Sequence, residues 1–199
     1  EYPRTEKISV DFAIMEKAEG INYGWTMEHE VTLTEALVDS IIETMCAMHG
    51  VPLRFDDERI AKSHLAQWGE CRTVAEATRR YVSTYMNGLI HQTGIEPTPE
   101  LVRAMLWLQA NVPDVQDRPV LVHQDFGLNN ILIAGDKVSA ILDWEAAIVA
   151  DPAYDLLVMQ RELADHLTLD ELLDRYHALT GRRITPYNMA YAQVAAFAI

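Results

Sequence analysis

The sequence predicts a mainly helical α+β chain with one small strand-and-hairpin insert, and three observations carry that expectation. Apolar residues recur at helical spacing along several stretches, with capping or stop residues beside them. Between Val120 and Leu142 the pattern changes to short β-branched and aliphatic runs. Gly135-Asp136-Lys137 separates two of those runs, as a hairpin turn requires. With 199 residues, 49% of them hydrophobic, the chain can bury a sizeable core as one large domain or as a lobe of a larger one.

The elements follow in chain order. Val10–Glu16 reads as a mostly buried strand by its short apolar run, and Ala18-Glu19-Gly20 breaks it. From Thr34 to Met48, residues Leu37, Ile41, Met45 and Met48 fall on one helix face, with Gly50 as the expected stop. Glu70–Gln92 is a second helical stretch, ending before Gly94. Thr98-Pro99-Glu100 opens a third: the threonine can accept from a free amide, proline is tolerated in the first position, and glutamate complements the dipole. Val120–Val122, Asn130–Ala134 and Val138–Leu142 are expected strands, the last two forming the hairpin. Helices resume after Pro152. Thr168-Leu169-Asp170-Glu171 is a capping box, Gly181 ends that helix, and Thr185-Pro186 begins the last. No repeat or low-complexity tract interrupts the order.

Composition narrows the partners. The net charge of −14 would repel nucleic acid and anionic membranes, so neither is expected. It suits a cationic substrate, or it simply keeps the chain soluble. No signal peptide is visible. The apolar stretch 190–199 falls short of the ~20 residues a membrane helix needs, and contains Gln193. Cys46 and Cys71 lie far apart without zinc or disulfide spacing, so a reducing cytosol is expected.

The candidate chemistry sits in the insert, as His123-Gln124-Asp125-Phe126-Gly127-Leu128-Asn129-Asn130 followed by Ile141-Leu142-Asp143-Trp144-Glu145. A hairpin turning at Gly135–Lys137 sets its two ends side by side, so Asn130 and Asp143 can face one point. Two oxygen ligands of this kind suit magnesium, which otherwise keeps water and phosphate oxygens. Asp125 lies on the loop entering the hairpin and can accept a hydroxyl proton. Each residue alone is commonplace, since aspartate and asparagine at strand ends ordinarily form turns and caps. Together they meet the H-x-D-x-x-x-x-N pattern of kinase catalytic loops in full, with a downstream metal aspartate.

On these residues the sequence resembles a known group. VHQDFGLNNILI and AILDWEAAIVADPAYDL look like the aminoglycoside phosphotransferase and choline kinase-like family of the protein-kinase-like fold. Gln124 stands where protein kinases usually carry Arg, Asp143-Trp144-Glu145 replaces Asp-Phe-Gly, and Ala-Pro-Glu is lacking. The resemblance is strongest over 121–156, and after about Arg161 it extends only to helical character. It implies a carboxy-terminal lobe of that fold, with residues 1–20 as the end of the amino-terminal lobe and its hinge strand, and 21–199 as the helical lobe.

The resemblance further implies Asp125 as catalytic base, and Asn130 and Asp143 as holders of Mg2+. His123 and Asp155 would brace the loop. Glu145 would approach a metal or substrate, or face solvent. The carbonyl of Glu16 and the amide of Ala18 would meet adenine, with Met15 behind it and Leu132 and Leu142 as an apolar floor. The implied donor is ATP, or GTP, and the acceptor a small-molecule alcohol or amino sugar. No strand lysine, partner glutamate or phosphate-covering loop is identifiable, and the nine glycines form no G-x-G-x-x-G. The expectation is therefore an amino-terminal lobe outside these residues, a truncated carboxy-terminal end, and little activity in the isolated fragment. Two other readings compete. A kinase-like binding module would not need the base and both metal positions filled. A His123-x-Asp125 iron site with His166 or His177 leaves Asn130 and Asp143 unexplained.

Overall fold

The computed structural model describes residues 16–22, 32–91 and 96–198. Its elements are α1 (Glu35–His49), α2 (Glu58–Ala61), α3 (Val74–His91), α4 (Pro99–Ala110), β1 (Val120–Val122), β2 (Ile131–Ala134), β3 (Lys137–Ile141), β4 (Ile148–Ala150), α5 (Ala153–Glu162), α6 (Leu169–Thr180) and α7 (Pro186–Ala198). The described residues are thus mostly helical, with two small antiparallel ladders, β1–β4 and β2–β3. Of the strand expected over Val10–Glu16 only Glu16 is described, as exposed coil.

Local chemistry explains most boundaries. Thr34 Oγ1 accepts from Leu37 N at the start of α1, and Thr98 Oγ1 from Leu101 N at the start of α4. Both halves of the Thr168/Glu171 capping box form, and Gly181 closes α6 at φ +73°. Gly50 stops α1 differently: it stays right-handed at φ −81°, and its amide bonds back to Cys46 and Ala47. α3 begins at Val74 rather than Glu70, because Thr73 Oγ1 takes the Glu76 amide while the Glu76 carboxylate takes the Arg72 amide. The hairpin turns on Gly135-Asp136, with Gly135 at φ +64°. Asn130 falls in a single 3-10 turn just before β2, and Asp143 two residues beyond β3, rather than inside the strands.

Helix α1 seats the hairpin. Its cap, Thr34, donates through Oγ1 to Asp136 at 2.9 Å, and Ser40 Oγ accepts from Val138 N at 3.1 Å. Beneath lies a core in which Ile41, Ile42, Met45, Val122, Phe126, Ile131, Ile148, Leu156 and Met159 are at most 2% exposed. Each such side chain contributes about 1.5–3 kcal/mol on burial, before entropy is charged against it. β4 is wholly buried and covers β1, pairing Val120 with Ala150 and Val122 with Ile148. α7 lies on α5 and α4, and Tyr191 donates its hydroxyl to the Leu108 carbonyl at 2.8 Å. Cys46 and Cys71 are free thiols, and burial, with Glu43 adding, pushes Cys46 up to about 11. No helix among the described residues is long and apolar enough to cross a membrane.

Candidate active site

The loop between β1 and β2 carries Asp125 on its exposed side. Asn130 is buried behind it and donates through Nδ2 twice: to the Asp125 carbonyl at 2.9 Å and to Asp125 Oδ2 at 2.7 Å. The same asparagine accepts the Leu142 amide on its own carbonyl at 2.7 Å. Asp143 follows directly in the chain, so the hairpin ends join Asp125, Asn130 and Asp143 in one locality. Because Asn130 spends its amide nitrogen on Asp125, its side-chain oxygen is left as the acceptor.

Two residues here hold a left-handed backbone that non-glycine residues rarely adopt: Gln124 at φ +70° and Asp143 at φ +60°. Such conformations cost on the order of 1–3 kcal/mol each and persist where neighbours enforce them. Gln124 is held at both ends. Its amide donates to Asp155 Oδ1 at 2.8 Å, and its side chain donates to the Tyr81 hydroxyl at 2.6 Å. Aspartate tolerates this region better than most residues.

Behind the loop, Asp155 is fully buried on the first turn of α5. It accepts from the His123 amide at 2.9 Å, the Gln124 amide at 2.8 Å and His49 Nε2 at 3.0 Å. A carboxylate only accepts, so His49 donates to it through Nε2, and the opposite nitrogen lies 3.0 Å from the Tyr176 hydroxyl. Burial pushes the Tyr176 phenol well above its ordinary value, which keeps it protonated. Neither His49 nor Tyr176 was singled out from sequence. The available signal was small: His49 lies one turn beyond Met45 on the buried face of α1.

His123 stitches the two halves of the site. Its ring donates through Nε2 to the Leu142 carbonyl at 2.8 Å, next to Asp143, and its edge meets Trp144 with centroids 4.9 Å apart. Glu145 is exposed. A Cβ on Gly127 would lie 2.5 Å from Asn129 Oδ1, so a larger residue there would displace the Asn129 side chain.

The segment expected to meet a nucleotide base lies on the hairpin. Ile21 and Ile133 exchange backbone bonds of 2.9 and 3.0 Å, and Ser139 donates to the Glu19 carbonyl. Gly20, at φ +124°, lies so close to β2 that a Cβ would be 3.1 Å from the Ile133 backbone. Glu16 and Ala18 are exposed beside it, Leu132 is half-buried and Leu142 is partly exposed. Met15 lies outside the described residues.

The histidines of the iron reading do not come together. His123 Nε2 is taken by Leu142, His177 on α6 bonds the Arg182 carbonyl, and His166 is exposed beyond α5. Among the described residues no three His, Cys, Asp or Glu side chains gather as metal ligands.

The mostly helical chain, with its small hairpin and an aspartate loop braced from below, has the fold of the kinase-like phosphotransferases. The chain belongs to the phosphotransferase enzyme family, matched over residues 3–195. It is similar to the macrolide 2'-phosphotransferase type I structure, with TM-score 0.61 and 22% identity, over 92% of this chain and 60% of that one. A streptomycin–ATP ternary complex of APH(2")-IIa shares the fold at TM-score 0.50 and 15% identity, over 89% of this chain and 59% of that one. Acyl-CoA dehydrogenase family member 11 of Pongo abelii is 29% identical over 156 residues, which are 76% of this chain and 19% of that protein. The chain thus spans about a fifth of such curated relatives.

Proposed function

We propose that these residues form the carboxy-terminal lobe of an enzyme that moves the γ-phosphate of ATP, or GTP, to a hydroxyl of a small molecule. The observation that carries the reading is the pair of hydrogen bonds from Asn130 Nδ2 to the Asp125 carbonyl and carboxylate, made while the Asn130 carbonyl takes the Leu142 amide. It sets an exposed carboxylate, an amide oxygen and a second carboxylate on adjoining backbone. Asp125 takes the acceptor's hydroxyl proton as its oxygen bonds the γ-phosphorus, and the bond to the bridging oxygen breaks to release the nucleoside diphosphate. The Asn130 and Asp143 oxygens fit the hard ligands Mg2+ prefers, and the ion would neutralise charge on the phosphates. His123 and Asp155 position the loop without touching the reactants. Glu16, Ala18, Leu132 and Leu142 would border the base, with Met15 behind it and the amino-terminal lobe supplied by a longer chain. The ATP in the streptomycin complex of a protein with this fold supports the donor.

The test is ATP consumption by the longer chain against a panel of alcohols and amino sugars, with Asp125→Asn alongside. Acceptor-dependent turnover should fall about 10²–10⁴-fold in the variant. Nucleotide binding with no transfer to any hydroxyl compound would favour a binding module instead.

A further inference from the structure

Asp125 opens onto a hollow of about 350 Å3, and its walls contradict the charge of the whole molecule. The chain carries 30 acidic residues against 16 basic ones. Yet among the described residues Asp125 is the only carboxylate lining this space, and Arg161 the only cation. The remaining walls are mostly Tyr81, Tyr85 and Tyr154 with Leu157 and Val158 of α5. Tyr81 meets Tyr85 edge to face at 4.8 Å and Tyr154 at 5.4 Å, so the rings cover one another.

A polycationic acceptor entering here would lose water and find one carboxylate, already committed to its hydroxyl. Desolvated ammonium groups need opposite charge, and beyond Asp125 this wall offers only the neutral oxygens of Gln124 and the tyrosines. The guanidinium, by contrast, is available. Arg161 touches Glu162 at 3.3 Å, but its side chain is 73% exposed, and an exposed pair of that kind contributes little. A ligand carboxylate can take the guanidinium fork in two parallel bonds.

Resting on the phosphotransferase reading above, we propose that the acceptor is an alcohol with a flat or apolar body and a single anionic group, seated between the tyrosines and Arg161, rather than an amino sugar.

Three probes of one skeleton test this on the longer chain: 4-(hydroxymethyl)benzoate, benzyl alcohol and 4-(aminomethyl)benzyl alcohol. Binding is read by saturation-transfer NMR and phosphate transfer by ATP consumption. The carboxylate should bind about tenfold more tightly than the neutral alcohol, and the ammonium compound most weakly. Arg161→Gln should collapse the carboxylate-to-neutral ratio towards one. Equal or tighter binding of the ammonium compound, a ratio that survives Arg161→Gln, or no binding of any probe overturns the proposal. Binding in the expected order without transfer supports the acceptor class while refuting the phosphotransferase reading. Transfer to the ammonium compound at the highest efficiency does the reverse.

Discussion

Two aspartates serve the same loop from opposite sides. Asp125 is exposed and takes one side-chain bond, from Asn130. Asp155 is fully buried and takes three, two from loop amides and one from His49. The first keeps most of its acceptor capacity open to solvent, and the second spends three of its roughly four acceptor positions on the loop and His49. The difference teaches that residue type does not assign the role. A carboxylate whose lone pairs are filled by backbone donors fixes a conformation, and one that is half-used and open can do chemistry.

The largest test of that contrast is to delete each carboxylate. Asp155→Ala strands two amides and the His49 Nε2 proton in the core, at about 1–3 kcal/mol each, so a loss of at least ~3 kcal/mol is expected. Asp125→Ala strands only one Asn130 Nδ2 hydrogen, the bond to the backbone carbonyl being kept, and should cost about 1 kcal/mol. Denaturant unfolding of both variants decides it. Equal losses would show that Asp125 is structural too.

An intermediate effect comes from the residues that link the faces. Asn130→Ala leaves the Asp125 carbonyl and carboxylate without their donor and should cost about 1–3 kcal/mol, while acceptor-dependent turnover falls. His49→Phe removes one donor from Asp155 and a partner from Tyr176, for a similar stability loss. It leaves both loop amides bound, so it should lower turnover far less than Asn130→Ala does. Unfolding curves measured beside ATP consumption separate the two. If His49→Phe proves as damaging to turnover as Asn130→Ala, the back of the loop is not merely a brace.

Much of this arrangement was legible in the sequence, and the remainder has a common cause. Thr98-Pro99, Thr168 with Glu171, and the Gly135 turn act on bonds within a few residues, so spacing alone reveals them. The Asp125–Asn130 spacing was visible for the same reason, but the bonds from Asn130 Nδ2 to Asp125 were not. β4 was not, because three residues carry no periodicity and Ile148–Ala150 becomes a strand only by pairing with β1. Thr73 with Glu76 is a cap motif lying inside an apolar-periodic stretch, which hid the true start of α3. His49 and Tyr176 meet Asp155 across long sequence separations, and the tyrosine wall brings α3 to α5. Nothing local announces those contacts.

The smallest test uses a third aspartate, buried as Asp155 is but with fewer donors. Asp151 accepts from the Ala153 amide at 2.9 Å and from Asn188 Nδ2 at 2.7 Å. Burial raises its pKa above the ordinary carboxylate value, against the opposing pull of those two bonds, Arg182 and His49. A raised folded-state value means that the native state binds the proton more tightly than the unfolded chain. The stability this residue contributes is therefore fully present below the ordinary carboxylate pKa, and it is lost as pH rises through the folded value. Asp151→Asn cannot titrate, so the melting-temperature gap between wild type and variant isolates the effect. Wild type should lose ground to the variant as pH climbs out of the acidic range, with no further change once Asp151 is ionised. A gap that moves the other way would mean that two hydrogen bonds outweigh burial. The distinction drawn between filled and half-used carboxylates would then have to be set by fewer donors than Asp155 has.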